Sequence, residues 1–276
     1  ADTCNSFGAL SPYELRGGLD SISTALPNSL AWNTNYIAPN LSFSNIQGGA
    51  SNSLNSGGQY NAILGGRENW IGSDGHASPQ GNIYWSNIGG GIWNQIRGYD
   101  IMGGLIAGGT SNVLTASTNS VVSGGYRNRV SGGQKHTIGG GGDNRIWGIE
   151  GNAIVGGLEN RVYNGDGNIV GGGGSNTITE WVGAMAMPSS YSLIGGGWTN
   201  VIEGSVASSI VGGLENSIIS SEPAYMFIGG GQENAINNSH ASSIVGGREN
   251  TLEAVTYDFI GGGRLNSTSS GSYNSS

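Results

Sequence analysis

Apolar residues recur along this chain in short pairs, each followed by glycines and then, at a fixed distance, by an asparagine. The unit reads Ile154-Val155-Gly156-Gly157-Leu158-Glu159-Asn160-Arg161-Val162. It returns as Ile210-Val211-Gly212-Gly213-Leu214-Glu215-Asn216-Ser217-Ile218 and as Ile244-Val245-Gly246-Gly247-Arg248-Glu249-Asn250-Thr251-Leu252. The asparagine sets the register. Asn112, Asn128, Asn144, Asn160 and Asn176 are spaced by sixteen, and Asn200, Asn216, Asn234, Asn250 and Asn266 by sixteen to eighteen; Asn94 belongs to the same series. Asn52, Asn61 and Asn69 fit less well, at eight or nine. Nowhere do apolar side chains keep an i, i+3, i+4 spacing, so the pattern argues against helices.

Two short β-branched stretches per unit, separated by Gly-Gly and Asn, predict short strands. So small a unit cannot bury its apolar side on its own and must stack on its neighbours. The expected fold is all-β, a parallel β-solenoid of 16–18-residue units with rungs about 4.8 Å apart. Ile and Val would point inward, Asn would form a hydrogen-bonded ladder or turn a corner in the left-handed conformation, and Gly-Gly would allow close backbone approach. Ile-Gly-Gly-Gly units (Ile194, Ile228, Ile260) alternate with Ile-Val-Gly-Gly units (Ile210, Ile244), so a coil of one unit and a coil of two, near 33 residues, both remain open.

The repeat covers residues 45–268. Residues 1–44 lack it and read as a polar cap or as a strand-exchange arm, and 269–276 form a Ser-rich tail. Two insertions, Gly72 to Trp85 and Thr179 to Tyr191, would project as loops from one face. Their aromatics, Trp85, Trp181 and Tyr191, are the candidate glycan contacts.

Composition narrows the partners. Ten cations against eighteen anions, a net charge of −8 and a single lysine, Lys135, exclude a broad basic surface, so neither nucleic acid nor an anionic membrane surface is expected. No apolar run is long enough for a membrane-spanning helix. Glycine supplies 54 of 276 residues and only 10% are charged, which leaves little to repel copies of the chain from one another. The chain opens Ala1-Asp2-Thr3, which reads equally as a mature N-terminus after signal-peptide removal or as an arbitrary boundary. Cys4, the one cysteine, has no internal partner and is a candidate for an intersubunit disulfide. Asn40, Asn237, Asn266 and Asn274 stand in glycosylation sequons and would bear glycans only in a secreted protein.

The recurring hydrophobic-Gly-Gly/Gly-x-Asn-x-Ile units, such as Ile194-Gly195-Gly196-Gly197-Trp198-Thr199-Asn200, resemble the short-period β-rolls of trimeric autotransporter heads and the Gly-rich repeats of phage tail fibres. Those heads are followed by a coiled-coil stalk and an anchor. Here only Ser267 to Ser276 follow the repeat, which favours a subunit that joins others by contact.

Catalytic signals are poor. Gly139 to Gly142 matches a dinucleotide-binding pattern only because Gly is everywhere, and Lys135 lies outside any phosphate-binding loop. His76, His136 and His240 are far apart and read as surface or loop residues, so no metal site is expected. Glu68, Glu159, Glu215, Glu233 and Glu249 recur beside the motif Asn. They read as a cation-bridging row or, more simply, as a solvated corner offset by Arg67, Arg161, Arg248 and Arg264. The expectation is therefore a secreted, non-enzymatic structural subunit without cofactors. Its partners would be copies of itself in an extracellular or cell-surface polymer. The alternative is an adhesin or fibre-tip module binding surface glycans.

Overall fold

The computed structural model describes residues 35–38, 41–55, 58–72, 82–98, 100–180, 188–222 and 224–270. It is a parallel β-solenoid of about thirteen coils. One coil shows how the sequence makes a rung. Val121–Val122 forms a strand, Gly124-Gly125 turns the chain, Tyr126 bridges to the neighbouring rungs and Asn128 is buried. Arg129–Ser131 forms the second strand, Gly132-Gly133 turns again, Gln134 bridges, His136 is buried, and the chain re-enters the first sheet at Thr137–Ile138.

The sixteen residues are thus two half-turns of eight, each reading strand, glycine turn, bridge, buried polar residue. Arg129 pairs with Arg145 and Val121 with Thr137, so each Asn-marked unit closes one full coil. This corrects the two-unit, 33-residue alternative. The two long sheets have fourteen and thirteen strands. Fourteen strands leave thirteen steps, or about 62 Å of ladder at about 4.8 Å per rung. The ladder starts at Tyr36–Ile37, paired with Ser53–Leu54, and ends at Ser267–Ser269. A third sheet of Gly58–Gln59, Ile83–Tyr84 and Ile101–Met102 covers a corner near the N-terminal end.

The core is thin. Each rung sends one apolar side chain inward from each long sheet, and these stack into two facing columns: Leu114, Val130, Ile146, Val162 and Ile178 from one, Ile106, Val122, Ile138, Ile154 and Val170 from the other. All ten are fully buried. Burial of each is worth about 1.5–3 kcal/mol. The insertions leave the stack unbroken, because Asn94 still donates its backbone N–H to Asn69 Oδ1 and Asn200 to Asn176 Oδ1, both at 3.0 Å.

Candidate functional site

Two corners hold the rungs together, and each is lined by a buried polar column. In the first, each Asn side chain takes the backbone N–H of the next rung's Asn on Oδ1. In most rungs its Nδ2 donates to the preceding Asn and to two glycine carbonyls. For Asn144 these are Asn128 Oδ1 at 3.0 Å, Gly140 O at 2.9 Å and Gly157 O at 2.9 Å. Asn112, Asn128, Asn144, Asn160, Asn176, Asn200, Asn216, Asn234, Asn250 and Asn266 all stand in this column, which reaches back through Asn94, Asn69 and Asn52 to Asn35. The left-handed residue at the corner is the one before each Asn, such as Asp143 (φ 54°) or Glu159 (φ 58°). That reversal turns one amide backward, so Glu159 N donates to Gly142 O of the preceding rung at 2.9 Å. Glycine is obligatory three residues before each Asn. At Gly141 (φ +82°) a Cβ would lie 2.0 Å from the Gly157 carbonyl oxygen.

The second corner works less regularly, through mixed residues, namely Ser44, Asn61, Ser86, Ser120, His136, Asn152, Asn168, Ser192 and Ser208, with Gly104 and Met226 taking the same place without a side-chain acceptor. Asn61 belongs here, which explains its short spacing from Asn52. His136 is therefore buried, not a surface residue. Its Nδ1 accepts the Asn152 N–H at 3.2 Å, which fits a neutral ring protonated on Nε2. Burial holds the imidazole below the ordinary histidine range, although the Gly148 and Gly132 carbonyls oppose that shift. Nε2 has no hydrogen-bond partner of good geometry.

The outer faces of the two long sheets differ sharply. On the thirteen-stranded sheet each rung presents two outward positions flanking the buried aliphatic. From Ala153 onward, where the first is large, the second is Gly: Ile169/Gly171, Leu193/Gly195, Phe227/Gly229, Phe259/Gly261. Where the first is small, the second is Val: Ala153/Val155, Ser209/Val211, Ser243/Val245. From Leu193 to Gly261, five successive rungs, apolar knobs and small residues therefore alternate in both columns, while Ile169/Gly171 and Leu193/Gly195 are neighbouring rungs of the same kind. The knobs are open to solvent, Val155 at 62% and Phe259 at 60%. From Asn45 to Gly261 neither outward position of this face carries a charge. The alternation of Ile-Gly-Gly-Gly with Ile-Val-Gly-Gly belongs to this surface and not to the coil.

The carboxylates Glu68, Glu159, Glu215, Glu233 and Glu249 share the left-handed corner position, and Glu215, Glu233 and Glu249 occupy successive rungs. Arg67 pairs with Glu68, Arg248 with Glu249 at 2.8 Å and Glu233 at 3.9 Å, and Arg264 with Glu249 at 3.6 Å. Arg161 is not part of this network. It follows its Asn, enters the fourteen-stranded sheet and faces outward. Among the described residues no cluster of three or more His, Cys, Asp or Glu could hold a metal ion.

The two described aromatics of the insertions lie on one corner but apart. Trp85 and Tyr191 are six rungs from each other, about 29 Å. Trp85 ends a stack in which Phe43 and Tyr60 lie 4.9 Å apart and Tyr60 and Trp85 6.1 Å, so one of its ring faces is taken while the residue stays exposed. Asn237 is half-buried in a strand, and the Ser239 hydroxyl of its sequon is buried, donating to Asn237 O at 2.9 Å. A glycan on Asn266 Nδ2 would have to displace its bonds to Asn250 Oδ1 and Gly262 O, both 2.9 Å. Cys4, Asn40, Trp181 and Asn274 lie outside the described residues. No protein-family model matches the chain, and comparison with curated proteins gives no match either.

Proposed function

We propose that this chain is a non-enzymatic structural subunit that joins copies of itself through the outer face of the thirteen-stranded sheet. The uncharged alternation of knobs and empty places on that face carries the reading. Monomeric proteins rarely expose a large contiguous apolar patch, and no charged residue interrupts the outward columns of this face from Asn45 to Gly261. A second copy turned face to face can seat Val155, Val211 and Val245 over the glycines opposite, with the sheets about 10 Å apart.

Size sets the kind of assembly. Twelve steps give a strip of about 58 Å, and its two columns lie about 7 Å apart, so the columns alone cover about 400 Å². A stable pair buries about 800 Å² per partner. One such contact is weak, which suits a reversible lattice or filament in which each copy is held by several neighbours. Low charge, pervasive Gly and the likeness of the repeat to autotransporter heads and phage tail fibres support a secreted, cell-surface setting. Glycan contact through Trp85 and Tyr191 has less support, given their separation.

The test is sedimentation velocity and electron microscopy of the wild-type chain beside a Val211→Lys/Val245→Lys variant. Wild type should associate with rising concentration into filaments or sheets, while the variant stays monomeric with an unchanged circular dichroism spectrum. Equal behaviour of the two, whether both monomeric or both assembled, would contradict the proposal.

A further inference from the structure

The opposite face concentrates positive charge that forms no ion pair among the described residues. Of the described cations, Arg67, Arg127, Lys135, Arg248 and Arg264 sit at corners and each has a carboxylate partner. Arg97, Arg129, Arg145 and Arg161 project from the fourteen-stranded sheet and form no ion pair among the described residues. Three of them, Arg129, Arg145 and Arg161, occupy the same position in successive rungs and are direct partners in the ladder. Their Cα atoms are thus about 4.8 Å apart. Like charges placed directly across a strand pair are destabilising. In a chain with a net charge of −8, that cost falls on one patch.

The neighbouring outward column explains what the patch fits. Beside the three arginines stand Ser131, Trp147 and Tyr163, also in register. The Trp147 ring is 63% exposed. Arg129, Arg145, Trp147 and Tyr163 line a groove of about 470 Å³ together with Arg127 and Asp143, and Arg161 stands next in the row beside that lining. Asp143 belongs to the same lining but is held by Arg127 at 2.8 Å, and no ion pair joins it to Arg129 or Arg145. Guanidinium forks match carboxylate and sulfate oxygens, and exposed indole and phenol rings offer flat apolar surfaces to sugar rings.

We infer that this groove binds a linear anionic polysaccharide, its carboxylate or sulfate groups on the Arg129–Arg145–Arg161 row and its sugar rings against Trp147 and Tyr163. A nucleic acid is the poorer match. Nucleic-acid binding rests on a broad basic surface, whereas this chain has ten cations against eighteen anions and places Glu203 and Glu253 on the same face. The site lies on the sheet opposite the proposed assembly face, so the two are separable.

The experiment is titration of the full chain with heparin as sulfated probe, polygalacturonate as uronate probe, neutral dextran, and a single-stranded oligonucleotide. The wild type and the Val211→Lys/Val245→Lys variant should bind one or both anionic glycans alike, more weakly as salt rises, and dextran not at all. Arg145→Gln should weaken binding about tenfold or more and Trp147→Ala should weaken it too, whereas Arg145→Lys should recover only part of it. Because Arg145→Gln relieves repulsion, its melting temperature should not fall, which separates lost binding from lost fold. Whichever probe binds identifies the anionic group. Failure of both anionic glycans, equal binding of dextran, tighter binding of the oligonucleotide, or indifference to Arg145→Gln would overturn the assignment.

Discussion

Replacing Asn144 by Ala tests the amide ladder at a single rung. The side chain donates to Asn128 Oδ1, Gly140 O and Gly157 O, and its Oδ1 takes both N–H groups of Asn160, the backbone at 3.0 Å and Nδ2 at 3.2 Å. Alanine leaves the buried Asn160 backbone N–H without an acceptor, which costs about 1–3 kcal/mol, and removes the bonds to the Gly140 and Gly157 carbonyls at about 1 kcal/mol each. The sum is about 3–5 kcal/mol, a large part of the 5–15 kcal/mol that holds an ordinary domain together. Asn266 provides the control. It is exposed, no described rung follows it, and it loses only its bonds to Asn250 and Gly262. Water replaces these, so Asn266→Ala should cost about 1 kcal/mol or less. Urea unfolding followed by circular dichroism measures both. Hydrogen exchange should show the Asn144→Ala loss centred on the Asn160 amide, since a solenoid's rungs feel mainly their nearest neighbours. Equal destabilisation by the two variants would refute the ladder as the source of cohesion.

Glycine requirements can be separated in the same way. Gly141→Ala, where a Cβ would meet Gly157 O at 2.0 Å, should cost at least about 2 kcal/mol; Gly156→Ala, with nothing within 4 Å, should cost under about 1 kcal/mol by the same denaturation assay. For His136 burial favours the neutral ring, so the unfolded chain binds the proton more readily. Stability should be full above about pH 6.5 and decline as pH falls through that value toward the lower folded one. Melting temperatures across that window should show the decline in the wild type and lose it in His136→Asn, which restores the residue type of Asn152 and Asn168; a persistent slope would implicate another group.

How much of this was legible in the sequence varied with position. The run from Ile154 to Val162 states the essentials of a rung, because a β-branched residue, a glycine turn and an amide recur at the spacing of the coil. The second corner was hidden because Ser120, His136, Asn152 and Ser192 fill one role with different side chains. Most of its rungs supply an acceptor for the next rung's N–H, and a hydroxyl, an imidazole or an amide can each provide one. The signal was present in the eight-residue step from Val122 to Val130 to Ile138. The 33-residue alternation misled for a related reason. Phe227, Val245 and Phe259 alternate to shape the outer surface, while the buried Ile228, Ile244 and Ile260 keep a period of one rung. Arg161 was grouped with the corner arginines by its nearness to Glu159, but one intervening Asn carries it onto a different face. Cross-rung neighbours, not sequence neighbours, decide which charges meet.

Both faces exist only if successive units lie in adjacent rungs, and a distance between two spin labels tests that most directly. Labels at positions 159 and 249, in a Cys4→Ser background and diluted with unlabelled protein, occupy one corner column five rungs apart. The account predicts a backbone separation of about 24 Å, at about 4.8 Å per rung. A separation near half of that would mean two units per coil, and with it the knob pattern, the arginine row and the assignments built on them would fall.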